Sequence, residues 1–161
     1  MPLSSWAFSK DSNDIFDEYI ADNDEYVGVG SGSFSFIGGQ LYVNTFSLKE
    51  YSQWIDEQQG ALARVKHFDI KSQMQYRLMV GLFARGISYE WFRQKYGRDI
   101  KKTCALEITL LKIGGFAYEE GAHLKPTQKG RYLFLDMMKE FYIGMDNVRT
   151  LSRARLKEED M

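Results

Sequence analysis

The sequence has 161 residues, of which 44% are hydrophobic and 15% aromatic, enough apolar material to bury a core and to exclude disorder over most of the chain. Its 21 basic and 22 acidic side chains give a formal net charge of -1, which excludes a global field for nucleic acid or an anionic membrane, so either function needs a local patch. A single cysteine, Cys104, excludes an intramolecular disulfide and a multi-thiolate cluster. With only His67 and His123 besides, the chain is not expected to build a metal centre alone.

The segment Met1 to Trp6 shows neither a basic leader nor an apolar run. No later stretch approaches the roughly 18 to 20 apolar residues of a bilayer span, so the expectation is a soluble, cytoplasmic chain with no membrane partner.

Residues 1 to 46 read as β-rich. Ser5 to Ser9 alternates like a half-buried strand, Lys10 to Asp14 is a polar break, and Asp14 to Ala21 is compatible with a short helix or a loop. Tyr26 to Ile37 is strand-like and ends in Gly38-Gly39, a pair suited to a two-residue hairpin turn because both central positions need positive φ. Gln40 to Phe46 returns as the partner strand. Ser47, with Glu50 three residues on, forms a capping box that predicts a helix from Leu48 to about Gln59, stopped near Gly60. Residues 60 to 71 show no clean period and read as a link.

The second half has a helical rhythm. Ser72 with Gln75 predicts a second capping box, and Met74, Leu78, Val80, Leu82 and Phe83 supply the apolar surface of a helix ended by Gly86. Ser88 caps a short helix, Tyr89 to Tyr96, closed by Gly97. A third helix is predicted from about Asp99 to Ile113, ended by Gly114-Gly115. Phe116 to Tyr118 and Ala122 to Leu124 flank Glu119-Glu120-Gly121 as a small hairpin, and a last helix follows Thr127 through Tyr142. Helices, a two-stranded wing and a further helix make a winged-helix-like module. The charged tail Arg153 to Met161 is expected to fray.

Few residues carry chemistry. Gly28-x-Gly30-x-x-Ser33 is superficially like a dinucleotide-binding loop, but that motif needs a helix directly after the glycines, and here the run continues as a strand. On a strand, Gly28, Gly30 and Gly32 share one face, leaving it bare of side chains. Either a small molecule lies across that backbone or a neighbouring element packs close against it. Asp22, Asp24 and Glu25 read as solvated carboxylates, His67 and His123 as isolated surface or hydrogen-bonded residues, and Cys104 as a buried structural thiol. Basic residues outnumber acidic ones between Arg93 and Arg131. Yet the groove-entering helix, Asp99 to Ile113, offers Lys101, Thr103 and Glu107 rather than a base-reading set, which speaks against nucleic acid.

Two runs carry a resemblance. Asp24-Glu25-Tyr26-Val27-Gly28-Val29-Gly30-Ser31-Gly32-Ser33-Phe34-Ser35-Phe36, followed by Tyr42-Val43-Asn44 and Ser47-Leu48-Lys49-Glu50-Tyr51, resembles the end of the catalytic barrel in oxygen-independent coproporphyrinogen III oxidases and their relatives. Ala84-Arg85-Gly86-Ile87, Phe92 to Ile100 and Leu124-Lys125-Pro126-Thr127-Gln128-Lys129-Gly130-Arg131 are similar to that family's C-terminal domain. The resemblance implies an α+β fold: the end of a partial (β/α) radical S-adenosylmethionine barrel over residues 1–60, a winged-helix-like helical domain over 61–149 and a charged tail over 150–161. It further implies S-adenosylmethionine and a 4Fe-4S cluster in the full-length parent, with Gly28, Gly30, Gly32, Ser33 and Phe34 facing the S-adenosylmethionine. The helical domain would cover a tetrapyrrole substrate. The family's CxxxCxxC motif is absent, so no catalytic or metal-binding residue is expected in this chain, and its implied partner is the remainder of the barrel, in the same polypeptide or another. The competing expectation is a stand-alone binding module, either a winged-helix nucleic-acid binder or a heme-carrying accessory protein.

Overall fold

A computed structural model describes Ser5 and residues 24–57 and 60–156. The strand expected at Ser5 to Ser9 and the segment Asp14 to Ala21 lie, apart from Ser5, outside the described residues. The described chain is mixed: small antiparallel sheets and helices. It divides into two compact units, residues 1–24 with 69–140, and residues 25–68 with 141–161.

The unit of residues 25–68 with 141–161 is built on an antiparallel sheet of β1 (Phe34–Ile37), β2 (Gln40–Asn44) and β3 (Leu62–His67), in that order. The expected hairpin is present. Ile37 pairs with Gln40 across Gly38 (φ 58°) and Gly39 (φ 74°), the double positive-φ turn whose twist matches its strands. Helix α1 (Leu48–Asp56) starts where expected, with the Ser47 hydroxyl accepting from the Glu50 N–H at 3.1 Å. The reciprocal arm of the box runs through Thr45. Its hydroxyl accepts from the Ser47 N–H and donates to the Glu50 carboxylate at 2.7 Å.

Residues 60 to 71 are more than a link. Leu62–His67 is a strand paired with β2 from Gln40↔His67 to Asn44↔Leu62, with a register shift at Val43/Asn44. All its side chains are exposed, so no hydrophobic alternation marks it in the sequence. That strand carries this unit past residue 60, to Phe68.

The other unit has a dense apolar interior. Helix α2 (Ile70–Ala84) buries Met74, Leu78, Val80, Leu82 and Phe83. Its cap is Asp69 rather than Ser72: the Asp69 carboxylate accepts from the Ser72 N–H at 2.7 Å, so the helix begins earlier than the Ser72/Gln75 box predicts. The short strand β4 (Ile87–Ser88) leads into α3 (Tyr89–Tyr96), capped by Ser88 and closed by Gly97 in the left-handed conformation (φ 64°) as expected.

The single helix predicted from Asp99 to Ile113 is two, α4 (Ile100–Thr103) and α5 (Ala105–Ile113), broken at the fully buried Cys104. The Thr103 hydroxyl donates to the Asp99 carbonyl, a local bond that competes with helix continuation. The expected hairpin is β5 (Ala117–Glu120) with β6 (His123–Pro126), and β6 also pairs with β4, giving the order β4-β6-β5. Thr127 starts α6 (Gln128–Arg153): its hydroxyl accepts from the Gly130 N–H and donates to the Gly115 carbonyl. This helix runs on past Tyr142 and takes in residues 150 to 153 of the charged tail. Gly130 sits so close to the Phe116 carbonyl that an added Cβ would collide with it.

Candidate functional site

The glycine run does not continue β1. From Asp24 to Gly30 the residues alternate between half-buried and exposed, as extended chain does, with Val27 and Val29 outward at 70% and 86% exposure. Tyr26 exchanges both backbone hydrogen bonds with Phe36, at 3.0 and 2.9 Å. The chain then turns at Gly30 (φ 101°) and Gly32 (φ 67°) and re-enters as β1 at Phe34.

The three glycines therefore do not share one strand face, because Gly32 lies past the turn. A Cβ on Gly28 would collide with the Phe34 carbonyl, so this glycine lets the chain double back on itself. A Cβ on Gly32 would lie 2.7 Å from the Phe46 ring. At Gly30 nothing lies within 4 Å of that position, and its backbone alone of the three faces open space. Local packing explains two of the bare positions and leaves the third.

Ser33 and Phe34 both have partners within the chain. The Ser33 hydroxyl donates to the Gly30 carbonyl at 2.8 Å, which fixes the turn. The Phe34 ring is buried, edge-on to Phe46 at 6.3 Å, with the Arg149 guanidinium 5.5 Å from its centre. A residue that the sequence reading assigns no role organises this corner. The Asn44 amide donates to the Gly30 carbonyl at 3.1 Å and to the Ser33 hydroxyl at 2.9 Å. The β2–β3 register shifts between Val43 and Asn44, and no periodicity announces such a shift. Thr45 completes the clamp, its carbonyl accepting from the Gly32 N–H at 2.7 Å and the Ser31 hydroxyl at 2.9 Å.

The carboxylates read as solvated are engaged where they are described. Asp24 pairs with Arg77 at 3.2 Å and Lys95 at 3.6 Å, and the Glu25 carboxylate accepts from the Gly38 N–H at 3.0 Å. Asp22 lies outside the described residues. Much of the basic excess between Arg93 and Arg131 is also engaged. Lys101 and Lys112 both reach Glu119, at 3.1 and 3.2 Å, Arg93 meets Glu90 and Asp99, and Lys125 pairs with Glu120. The Lys101 ammonium, with the Tyr89 hydroxyl and Lys112, holds the Glu119 carboxyl down at about 2. Burial, and then Glu119 itself, pushes the Tyr89 hydroxyl up.

Burial also raises the Cys104 thiol to about 11, which suits a packing residue and not a nucleophile. His67 and His123 sit exposed on different strands. Among the described residues no three His, Cys, Asp or Glu are grouped to hold a metal ion, and a buried lone cysteine does not fit an iron–sulfur cluster. No helix among the described residues is long and apolar enough to cross a membrane.

This combination, a hairpin with a glycine-hinged turn followed by a helical unit, has a counterpart in part of a solved structure. Coproporphyrinogen III oxidase (HemN) from Escherichia coli, described as a radical S-adenosylmethionine enzyme, superimposes with a TM-score of 0.54 at 24% identity, over 68% of this chain and 26% of that one. By sequence, the chain is homologous to proteins named heme chaperone HemW. It is 26% identical over 112 residues to the one from Bacillus subtilis (strain 168), covering 69% of this chain and 30% of that protein. To the one from Lactococcus lactis subsp. lactis (strain IL1403) it is 25% identical over 123 residues, covering 76% and 32%. The chain thus spans about a third of the length of these relatives. No protein-family model matches it.

Proposed function

We propose that the chain is the C-terminal part of a radical S-adenosylmethionine protein of the coproporphyrinogen III oxidase type, acting in tetrapyrrole metabolism in the cytoplasm. Residues 1–60 would contribute the last strands and helix of its partial barrel, residues 61–149 a winged-helix-like domain over the substrate, and residues 150–161 a charged tail. One observation carries this reading: the outward valines Val27 and Val29 lie beside the open Gly30 backbone in a unit with hardly any interior of its own. Apolar side chains on an extended edge are the surface that a preceding barrel strand would cover.

Gly28, Gly30, Gly32, Ser33 and Phe34 would form the wall beside S-adenosylmethionine. Gly30 supplies the backbone approach, and the others, with Asn44, set its conformation. S-adenosylmethionine, when reduced by a cluster held elsewhere, supplies a 5′-deoxyadenosyl radical. The present residues would only bind and orient it. The CxxxCxxC cluster ligands must come from the remainder of the barrel, which is the partner this reading requires.

The test extends the chain by the segment preceding it in its reading frame, or by a neighbouring gene's product, reconstitutes it anaerobically with iron and sulfide, and titrates S-adenosylmethionine. The expected result is a CxxxCxxC-dependent cluster and an affinity that falls about tenfold in Gly30→Ala, since strain at a positive φ of this kind is of order 1–3 kcal/mol. The absence of any such segment, or an affinity indifferent to Gly30, overturns the reading.

A further inference from the structure

Helix α5 carries more apolar surface than the fold uses. Of its nine residues only Ile108 is buried, while Leu106, Leu110 and Ile113 are 69%, 58% and 80% exposed. Spaced i, i+4 and i+7, these three stand in one row along the helix, on the side away from Ile108. The other outward apolar residues of the unit of residues 69–140, such as Ile70, Tyr118 and Tyr132, are scattered over α2, β5 and α6.

Beside the row lies a hollow of about 530 Å³. Its floor is Leu78, Leu82 and Phe134, all buried, and its sides are Met79, Met137 and Leu110, the last of which also belongs to the row. At its edge the Gln75 amide donates to the Glu107 carboxylate at 2.5 Å, and Lys112 is drawn off to Glu119 at 3.2 Å. Both charges of α5 are thus engaged inside the chain, and the row it turns outward is wholly apolar.

A convex row that borders a concave hollow is complementary to itself. Turned about a two-fold axis through Leu110, a second copy lays its row into the first copy's hollow and receives the first copy's row in its own, an isologous contact. The two α5 helices then run antiparallel, Leu106 opposite Ile113 and Leu110 opposite Leu110. Each helix's amino end meets the other's carboxyl end, the favourable sense for their dipoles. We infer that the α5 row and its hollow form a self-association surface whose occupant is a second copy of this chain. At about 800 Å² for 20–30 residues per partner, a patch of this extent comes to roughly 500 Å² per copy and about 1,000 Å² for the pair, the lower limit of a specific interface. The dimer is therefore a dynamic one, with a dissociation constant on the order of 10 µM. Met79 and Met137 suit such a contact, since an unbranched thioether refits its neighbours. The inference does not depend on the function proposed above, whose missing barrel strands adjoin Val27 and Val29 in the other unit.

Sedimentation of the full chain between about 1 and 300 µM tests it, the range that brackets a dissociation constant of that order. The expected result is a mass that rises from 18.7 kDa to twice that value. Leu106→Lys/Ile113→Lys sets charges in the row and should weaken association at least tenfold; Leu48→Lys/Ile55→Lys, also exposed but on α1, should leave it unchanged. Both pairs lie on the surface, so circular dichroism and dilute thermal midpoints should match the parent chain. The register has its own readout, because a disulfide needs Cβ atoms about 4 Å apart. On oxidation Leu110→Cys should link two chains, Ile113→Cys alone should not, and a mixture of Leu106→Cys and Ile113→Cys chains should. The native Cys104 is buried and stays out of the reaction.

A mass that stays at 18.7 kDa, association that survives Leu106→Lys/Ile113→Lys or falls equally in Leu48→Lys/Ile55→Lys, or disulfides indifferent to the register each overturn the inference. So does loss of association on extending the chain by its upstream segment, which would make that segment the occupant. None of these outcomes bears on the S-adenosylmethionine titration, since α5 is no part of the glycine turn, so the two proposals fail separately.

Discussion

The two units of this chain solve the folding problem differently. Residues 69–140 bury whole side chains from α2, α3, α4, β6 and α6: Met74, Phe83, Phe92, Ile100, Leu124, Phe134 and Met138 are all at or below 1% exposure. In the unit of residues 25–68 with 141–161, Phe34 and Ala61 are the only buried hydrophobic residues among those described, and α1 buries none. That unit is held by backbone ladders, the Asn44–Thr45 clamp and the Ser47 cap, so its geometry is specified without a core to stabilise it. The contrast is between a unit stabilised by packing and one specified by hydrogen bonds.

The contrast is easiest to break with core truncations. Phe92→Ala should cost about 3–5 kcal/mol, whereas Ile55→Ala in the other unit should stay within about 0.5 kcal/mol, both read from denaturant midpoints. Comparable losses would show that the second unit has a hidden core. Gly130→Ala pushes a Cβ into the Phe116 carbonyl, where backbone cannot swing aside, and should lower stability by about 1–3 kcal/mol. Gly38→Ala at the hairpin turn meets no atoms and is strained through φ alone, so hydrogen exchange should rise in β1 and β2 and stay unchanged in α2.

The Glu119 cluster gives a smaller, pH-dependent contrast. Its carboxyl is depressed in the folded chain, so its stabilisation is present above the unfolded carboxylate value near 4.5 and is lost as pH falls toward about 2. Because the side chain is a third exposed, solvent screening keeps the effect at about 1 kcal/mol. Glu119→Gln should flatten the acid limb of the stability curve; an unchanged limb would remove the cluster from the account. Smallest of all is the thiol. Cys104, raised to about 11 and fully buried, should label with a disulfide reagent at pH 8 only as fast as the helical unit opens.

What was legible in the sequence follows the same divide. Elements announced by local chemistry were found: the Gly38-Gly39 turn, the Ser47 and Ser88 caps, the Gly97 stop and the hairpin around Gly121 each depend on residues within a few positions. Elements set by distant partners were not. Strand β3 carries no alternation because neither face is buried, Asp69 displaced the expected Ser72 cap, and Cys104 splits a helix whose apolar repeat runs straight through it. At the candidate site, the glycines were visible as a composition. Their division into two packed positions and one open one depends on Phe34 and Phe46 returning from elsewhere in the chain. Asn44 gave no signal at all, since a register shift leaves no period to detect.

Strand β3 also bears on how the protein must be handled. It is the last strand of its sheet among the described residues, and one side of its peptide ladder has no strand beside it. Such a rim invites a second molecule to add on, the first step of fibrillar clumping. Here the rim bears Arg64 and Lys66, and two copies laid rim to rim would crowd like charges together. Concentrated samples should therefore stay monodisperse at low ionic strength and grow stickier as salt screens that repulsion, the reverse of ordinary salting-in.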